Sequence, residues 1–213
     1  MNINKNNNLF SISLFFIMIS SVYLQNSVFN SYKFQKILLS DLSNNTNSFS
    51  LSQIKDIPEY PSLAVNSIPI KSIKARYLLD YDQIIMANEF ADEGLIINPY
   101  IVYSYYIMAR ILLKERKLYK SLDYLRKGFE ISKNVDYLSS LYFSLLSSLN
   151  LKKELIDAFD KIIESDNPDI WKFYYLSIKE LSDSNQDFID IVVKTASKQL
   201  NLSYLEFTEF VNK

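Results

Sequence analysis

Residues 90–100 read FADEGLIINPY and hold Gly94, one of only two glycines in the 213-residue chain. The other, Gly128, lies in LRKGFEISKN, residues 125–134. The two are 34 residues apart, each inside an otherwise amphipathic helical pattern. Three apolar residues follow Gly94 before Asn98 and Pro99, so the helix runs on for about a turn and stops at the proline. A glycine inside a helix costs about 0.5–1 kcal/mol against alanine. Its return at a fixed interval implies that close approach of the next hairpin offsets this cost.

The interval extends beyond the glycines. At a shift of 34, Ala75 falls on Ala109, Arg76 on Arg110, Leu78 on Leu112, Leu79 on Leu113, Ala87 on Ser121 and Ile97 on Ile131. A second shift carries Leu112 to Leu146, Leu122 to Ile156 and Leu125 to Phe159. Two helices per 34 residues is the pattern of stacked helical hairpins. The apolar spacing predicts helices near 70–80 and 83–97, 99–114 and 117–132, 136–149 and 152–164, then 169–182 and 186–200. Asp169 is the expected cap of the seventh of these. Ser203 with Glu206 is a capping box for a last short helix, which supplies a polar end to the stack.

Composition narrows the chemistry. Two glycines and five prolines leave too few turn-formers for a β-rich fold and no phosphate-cradling loop. Histidine and cysteine are absent, which removes the commonest general base, thiol nucleophiles and the best zinc ligands. No enzyme activity, cofactor or metal is expected. A net charge of −1 offers no field for nucleic acid. Asp157, Asp160 and Glu164 share a helical face but lack a carbonyl-rich loop, and read as a solvated acidic face. Trp171, in WKFYYL, reads as core of the fourth hairpin.

These residues resemble the tetratricopeptide repeat (TPR) family. In that family small residues sit where two helices of a hairpin approach most closely, and Ala75 with Ala87 and Ala109 with Ser121 match them. A third small position matches Gly94 and Gly128, and the closing proline matches Pro99, with Pro168 one residue late. The third unit departs, with bulky Phe143, Leu155 and Ile162, and the aromatic-leucine-glycine-tyrosine signature is missing. The resemblance covers residues 68–168 best and 169–200 weakly. It implies an all-α, right-handed solenoid of about three to four hairpins, with three hairpins at 68–168 and a divergent fourth plus cap at 169–213. A fainter similarity joins NSIPIKSIKARY (66–77) and INPY (97–100) to the TPR-bearing tail of bacterial membrane proteins related to O-antigen ligases. It implies an envelope setting and an alternative role as an accessory or truncated relative in polysaccharide assembly. This chain lacks their many membrane spans, so no transferase activity carries over.

Ahead of the repeat, no charged residue lies between Lys5 and Lys33. After a flank at 1–8, the run LFSISLFFIMISSVYL (9–24) spans about 24 Å as a helix, and extension to residue 29 reaches a bilayer's thickness. A retained single-pass anchor at 9–29 fits better than a cleaved signal, since the small-x-small site is poor, or a buried helix, since no charged face exists. The soluble part is then expected on the exported, periplasmic side. Residues 30–67, rich in Ser and Asn with Pro58, Pro61 and Pro69 at the end, read as a linker, with 34–42 readable as a short helix.

In a TPR-like hairpin the first helix lines a concave groove. That face carries Ser72, Arg76 and Leu79, then Tyr103, Tyr106, Arg110 and Leu113, then Tyr137, Ser140, Ser144 and Ser147. Two arginines one repeat apart beside three tyrosines suit an extended anionic peptide. The competing reading makes Arg76 and Arg110 solvated partners of Asp80, Asp82 or Glu115, and the tyrosines core. The expected function is a membrane-anchored scaffold that binds a protein or peptide partner, with oligomeric state undetermined.

Overall fold

The computed structural model describes residues 3–181 and 186–212, with side chains from residue 12 onward. Met1 and Asn2 of the N-terminal flank, and residue 182 at the expected end of a helix, lie outside the described residues. Eleven helices and no strand occur among those described. The chain divides into two compact units, Met1–Ile97 and Asn98–Lys213. This differs from the expected grouping, which placed the first hairpin with the next two and left 30–67 as a linker.

The first unit contains α1 (Ile3–Asn44), α2 (Leu51–Asp56), α3 (Ile70–Asp80) and α4 (Ile84–Ile97). Helix α1 lives in two environments. From residue 12 to 26 and 28 to 30 every side chain is exposed, including Phe15, Phe16, Ile17 and Val22. From Ser31 onward one stripe is buried, made of Ser31, Gln35, Leu38 and Asp41 at spacings of three and four. The stripe is mostly polar, so its apolar periodicity is weak, and the segment reads as a linker. Hydrogen bonds tie its last residue into the unit. Asp41 accepts from the Thr46 hydroxyl (2.7 Å), the Ser48 amide (2.8 Å), the Ser48 hydroxyl (2.7 Å) and the Tyr77 hydroxyl of α3. Asn45, at φ 52°, turns the chain out of α1 so that these donors converge. Phe49 then stacks between Phe34 and Tyr77, with centroids 5.8 and 6.2 Å away.

A second clamp holds residues 55–59. The buried Lys74 ammonium donates to the Lys55 and Ile57 carbonyls, both at 3.2 Å, and to Glu59 at 2.7 Å, which satisfies all three of its hydrogens. Residues 30–67 are therefore part of the first unit's structure rather than a linker.

The second unit contains α5 (Val102–Lys114), α6 (Leu118–Ile131), α7 (Asp136–Ser148), α8 (Lys152–Ile162), α9 (Pro168–Lys179), α10 (Gln186–Gln199) and α11 (Tyr204–Val211). The second helices of the first three pairs begin at Ile84, Leu118 and Lys152, each 34 residues after the last. The turns repeat as closely. Asp82, Arg116 and Asn150 hold left-handed φ of 58°, 59° and 53°. The next amide donates five residues back, Gln83 to Leu78 (2.8 Å), Lys117 to Leu112 (2.8 Å) and Leu151 to Leu146 (2.9 Å). This is the Schellman cap, usually built on glycine. Here three unlike residues bear it, and neither glycine has a left-handed φ.

The glycines serve contacts instead. A Cβ on Gly94 would lie 2.0 Å from Ser72 Oγ and 3.2 Å from Ser72 Cβ. Ser72 belongs to α3 of the same hairpin, whereas the sequence pattern placed this contact on the next one. At Gly128 a Cβ would lie 2.7 Å from Leu138 Cδ1 of α7 and 3.2 Å from Tyr105 Cβ of α5. Within hairpins, Ala75 and Ala87 are fully buried, and the Ser121 hydroxyl donates 2.9 Å to the Ala109 carbonyl. Backbones come close in α3/α4 and α5/α6 and much less so in α7/α8, whose bulky Phe143, Leu155 and Ile162 are all buried.

Polar groups brace the second unit from outside. Arg126 of α6 grips Glu154 of α8 through two bonds of 2.7 Å, and the Tyr142 hydroxyl of α7 donates to the same carboxylate at 2.8 Å. The Arg126 guanidinium holds the Glu154 carboxyl below its usual range. Asn167, rather than Asp169, caps α9: its side chain accepts from the Asp169 amide at 3.0 Å. Pro168 sits at the first helical position, where its missing N–H costs nothing. Ser203 and Glu206 form the reciprocal capping box of α11.

Candidate partner-binding site

The face expected to form a groove divides at the boundary between units. On α3, Ser72, Arg76 and Leu79 are buried. Arg76 donates 2.7 Å to the Thr46 carbonyl, stacks 4.6 Å from the Tyr77 ring centroid, and lies 3.6 Å from Asp80. The chain leaving α1 covers Arg76, and Ser72 is buried against Gly94 of α4, so neither is available to a partner. Arg76 is not a solvated surface charge either. Of the competing reading, the pairing with Asp80 is present and the solvation is not.

On the second unit the face stays open. Tyr106 of α5 and Tyr137 of α7 meet edge to face with centroids 4.8 Å apart. Tyr103, itself buried, lies edge-on to Tyr137 at 6.2 Å and tilted against Tyr106 at 6.4 Å. Beside them opens a pocket of about 400 Å³ lined by Tyr106, Asp136, Tyr137, Ser140, Leu141, Ser144 and Phe173. These come from α5, α7 and α9, the first helices of three successive pairs. Tyr106, Tyr137 and Ser140 of the expected set are thus brought together, Tyr103 supports them from beneath, and Ser147 is buried away from solvent. Arg110 sits 5.7 Å from the Tyr106 centroid and does not line the pocket.

Burial, then Asp136, then Tyr106, push the Tyr137 hydroxyl up to about 12, so it stays protonated as a donor. Asp136 stands exposed in the first turn of α7.

Sequence spacing missed Asp136, Leu141 and Phe173. A shift of 34 from Ser140 lands on Tyr174, which is buried and donates 2.8 Å to the Leu155 carbonyl. Phe173, one residue earlier, lines the pocket instead. Trp171 is fully buried, with Nε1 donating 2.8 Å to the Ser165 carbonyl. Among the described residues no group of three or more acidic, His or Cys side chains assembles as a metal site.

No family model, curated protein or solved structure matches the chain. Its functional reading rests on its own geometry: an all-helical fold, one N-terminal helix long and apolar enough to cross a membrane, and an aromatic pocket.

Proposed function

We propose that this chain is a single-pass membrane scaffold whose helical hairpins, a TPR-like right-handed stack, offer the Tyr106/Tyr137 pocket to a protein partner. The pocket is the observation that carries the reading. It lies across first helices, where a repeat protein presents its concave face, and it combines rigid aromatic area with hydroxyls. The 34-residue recurrence of the Schellman turn supports the stack. The exposed apolar length of α1 supports the anchor, since about 25 cal/mol per Å² of apolar surface favours lipid over water. The absence of His and Cys supports binding rather than catalysis. We further place the hairpins on the exported side.

The test is a photoreactive residue at Ser140 of the full chain in native membranes, compared with one at Lys120, exposed on α6. The reading expects a discrete protein adduct from Ser140, absent from Lys120 and lost on Tyr106→Ala. No adduct from Ser140, or equal adducts from both positions, would contradict it.

A further inference from the structure

We propose that the pocket accepts a lysine or arginine side chain from an extended partner segment, with Asp136 as its counter-charge; this rests on reading the pocket as the partner site. Asp136 is the sole formal charge in the lining. It has no ion-pair partner among the described residues, and its carboxylate accepts 2.7 Å from the amide of its own neighbour, Tyr137. The opposite expectation, an anionic ligand, depended on two arginines acting one repeat apart. Arg76 is buried under the chain leaving α1, and Arg110 lies outside the lining. An incoming carboxylate would instead meet Asp136 at close range.

The remaining lining fits a cation with a carbon stem. Tyr106, Tyr137 and Phe173 offer aromatic rings, whose faces attract ammonium and guanidinium groups. Leu141 covers apolar length, which long basic side chains bury while keeping the head group wet. Ser140 and Ser144 supply hydroxyl oxygens that accept from a cation's N–H groups. With a net charge of only −1, the chain has little long-range field, so selectivity falls to this local contact.

The experiment uses the full chain in lipid nanodiscs and two short capped peptides that differ only in carrying Lys or Glu between Leu and Ser residues. Binding is read by fluorescence anisotropy. The Lys peptide is expected to bind, Asp136→Lys to weaken it about tenfold or more, and the same variant to gain the Glu peptide. Asp136→Asn, checked by circular dichroism, should weaken Lys-peptide binding by a smaller factor and flatten its salt dependence. Preference of the wild type for the Glu peptide, or unchanged Lys-peptide binding in Asp136→Lys, overturns the charge assignment and leaves the pocket standing. Binding of neither peptide overturns both.

Discussion

The Tyr77 hydroxyl on α3 donates its hydrogen to the carboxylate of Asp41 on α1, 36 residues earlier in the chain. That bond joins the helix read as a membrane anchor to the first helix of the first hairpin. Through it, and through the Thr46 and Ser48 donors on the same carboxylate, the end of α1 is packed into the folded unit.

Asp41→Ala should therefore destabilise the first unit by about 2 kcal/mol, since it leaves the buried Tyr77 hydroxyl without its acceptor and releases the Thr46 and Ser48 donors. Tyr77→Phe should cost about 1–2 kcal/mol. Denaturant unfolding of the full chain in micelles measures both, and amide exchange at residues 45–50 should rise in step. An unchanged midpoint for Asp41→Ala would show that the contact holds nothing together.

Gly94→Ala adds helix propensity worth about 0.5–1 kcal/mol but places a Cβ 2.0 Å from Ser72 Oγ. A net loss of about 1 kcal/mol or more is expected. Ser72→Ala removes the clashing oxygen, so the penalty of Gly94→Ala should shrink in that background. Additive effects in a double-mutant cycle would refute the contact.

Glu154 has its carboxyl lowered from an ordinary 4.5, first by Arg126. A group lowered in the folded state stabilises it above its unfolded pKa, and the contribution fades as pH falls through the folded value. Thermal melts should show Glu154→Gln costing about 1 kcal/mol at neutral pH, a figure reduced for the partial exposure of both partners. The gap between variant and wild type should close below pH 4.5. A gap that widens on acidification would reverse the assignment.

How much of this was legible in the sequence depends on which residues carried the signal. Small residues at 75, 87, 109 and 121 and large apolar ones between them marked the helices to within a few residues, because apolar periodicity reports burial directly. The Schellman turns were invisible as a motif, since Asp82, Arg116 and Asn150 share a backbone conformation and no side-chain chemistry. The docking stripe of α1 was hidden because three of its four buried residues, Ser31, Gln35 and Asp41, are polar, and an apolar pattern does not mark them. Burial of Arg76 followed from that docking, so the expected arginine pair failed for the same reason. At the pocket, Tyr106, Tyr137 and Ser140 kept the repeat interval, while Phe173 stands one residue before the position the interval from Ser140 reaches.

The central claim is that one helix serves two surroundings, lipid over 12–29 and the folded unit from Ser31. The chain has no cysteine, so single cysteines at Phe16, Val22, Lys36 and Ser40 can each be read without background. In bilayer membranes made accessible from both sides, a water-soluble maleimide should label Lys36→Cys and Ser40→Cys at once. Phe16→Cys and Val22→Cys should stay protected until detergent is added. Full labelling of Phe16→Cys and Val22→Cys in the intact bilayer would contradict the account.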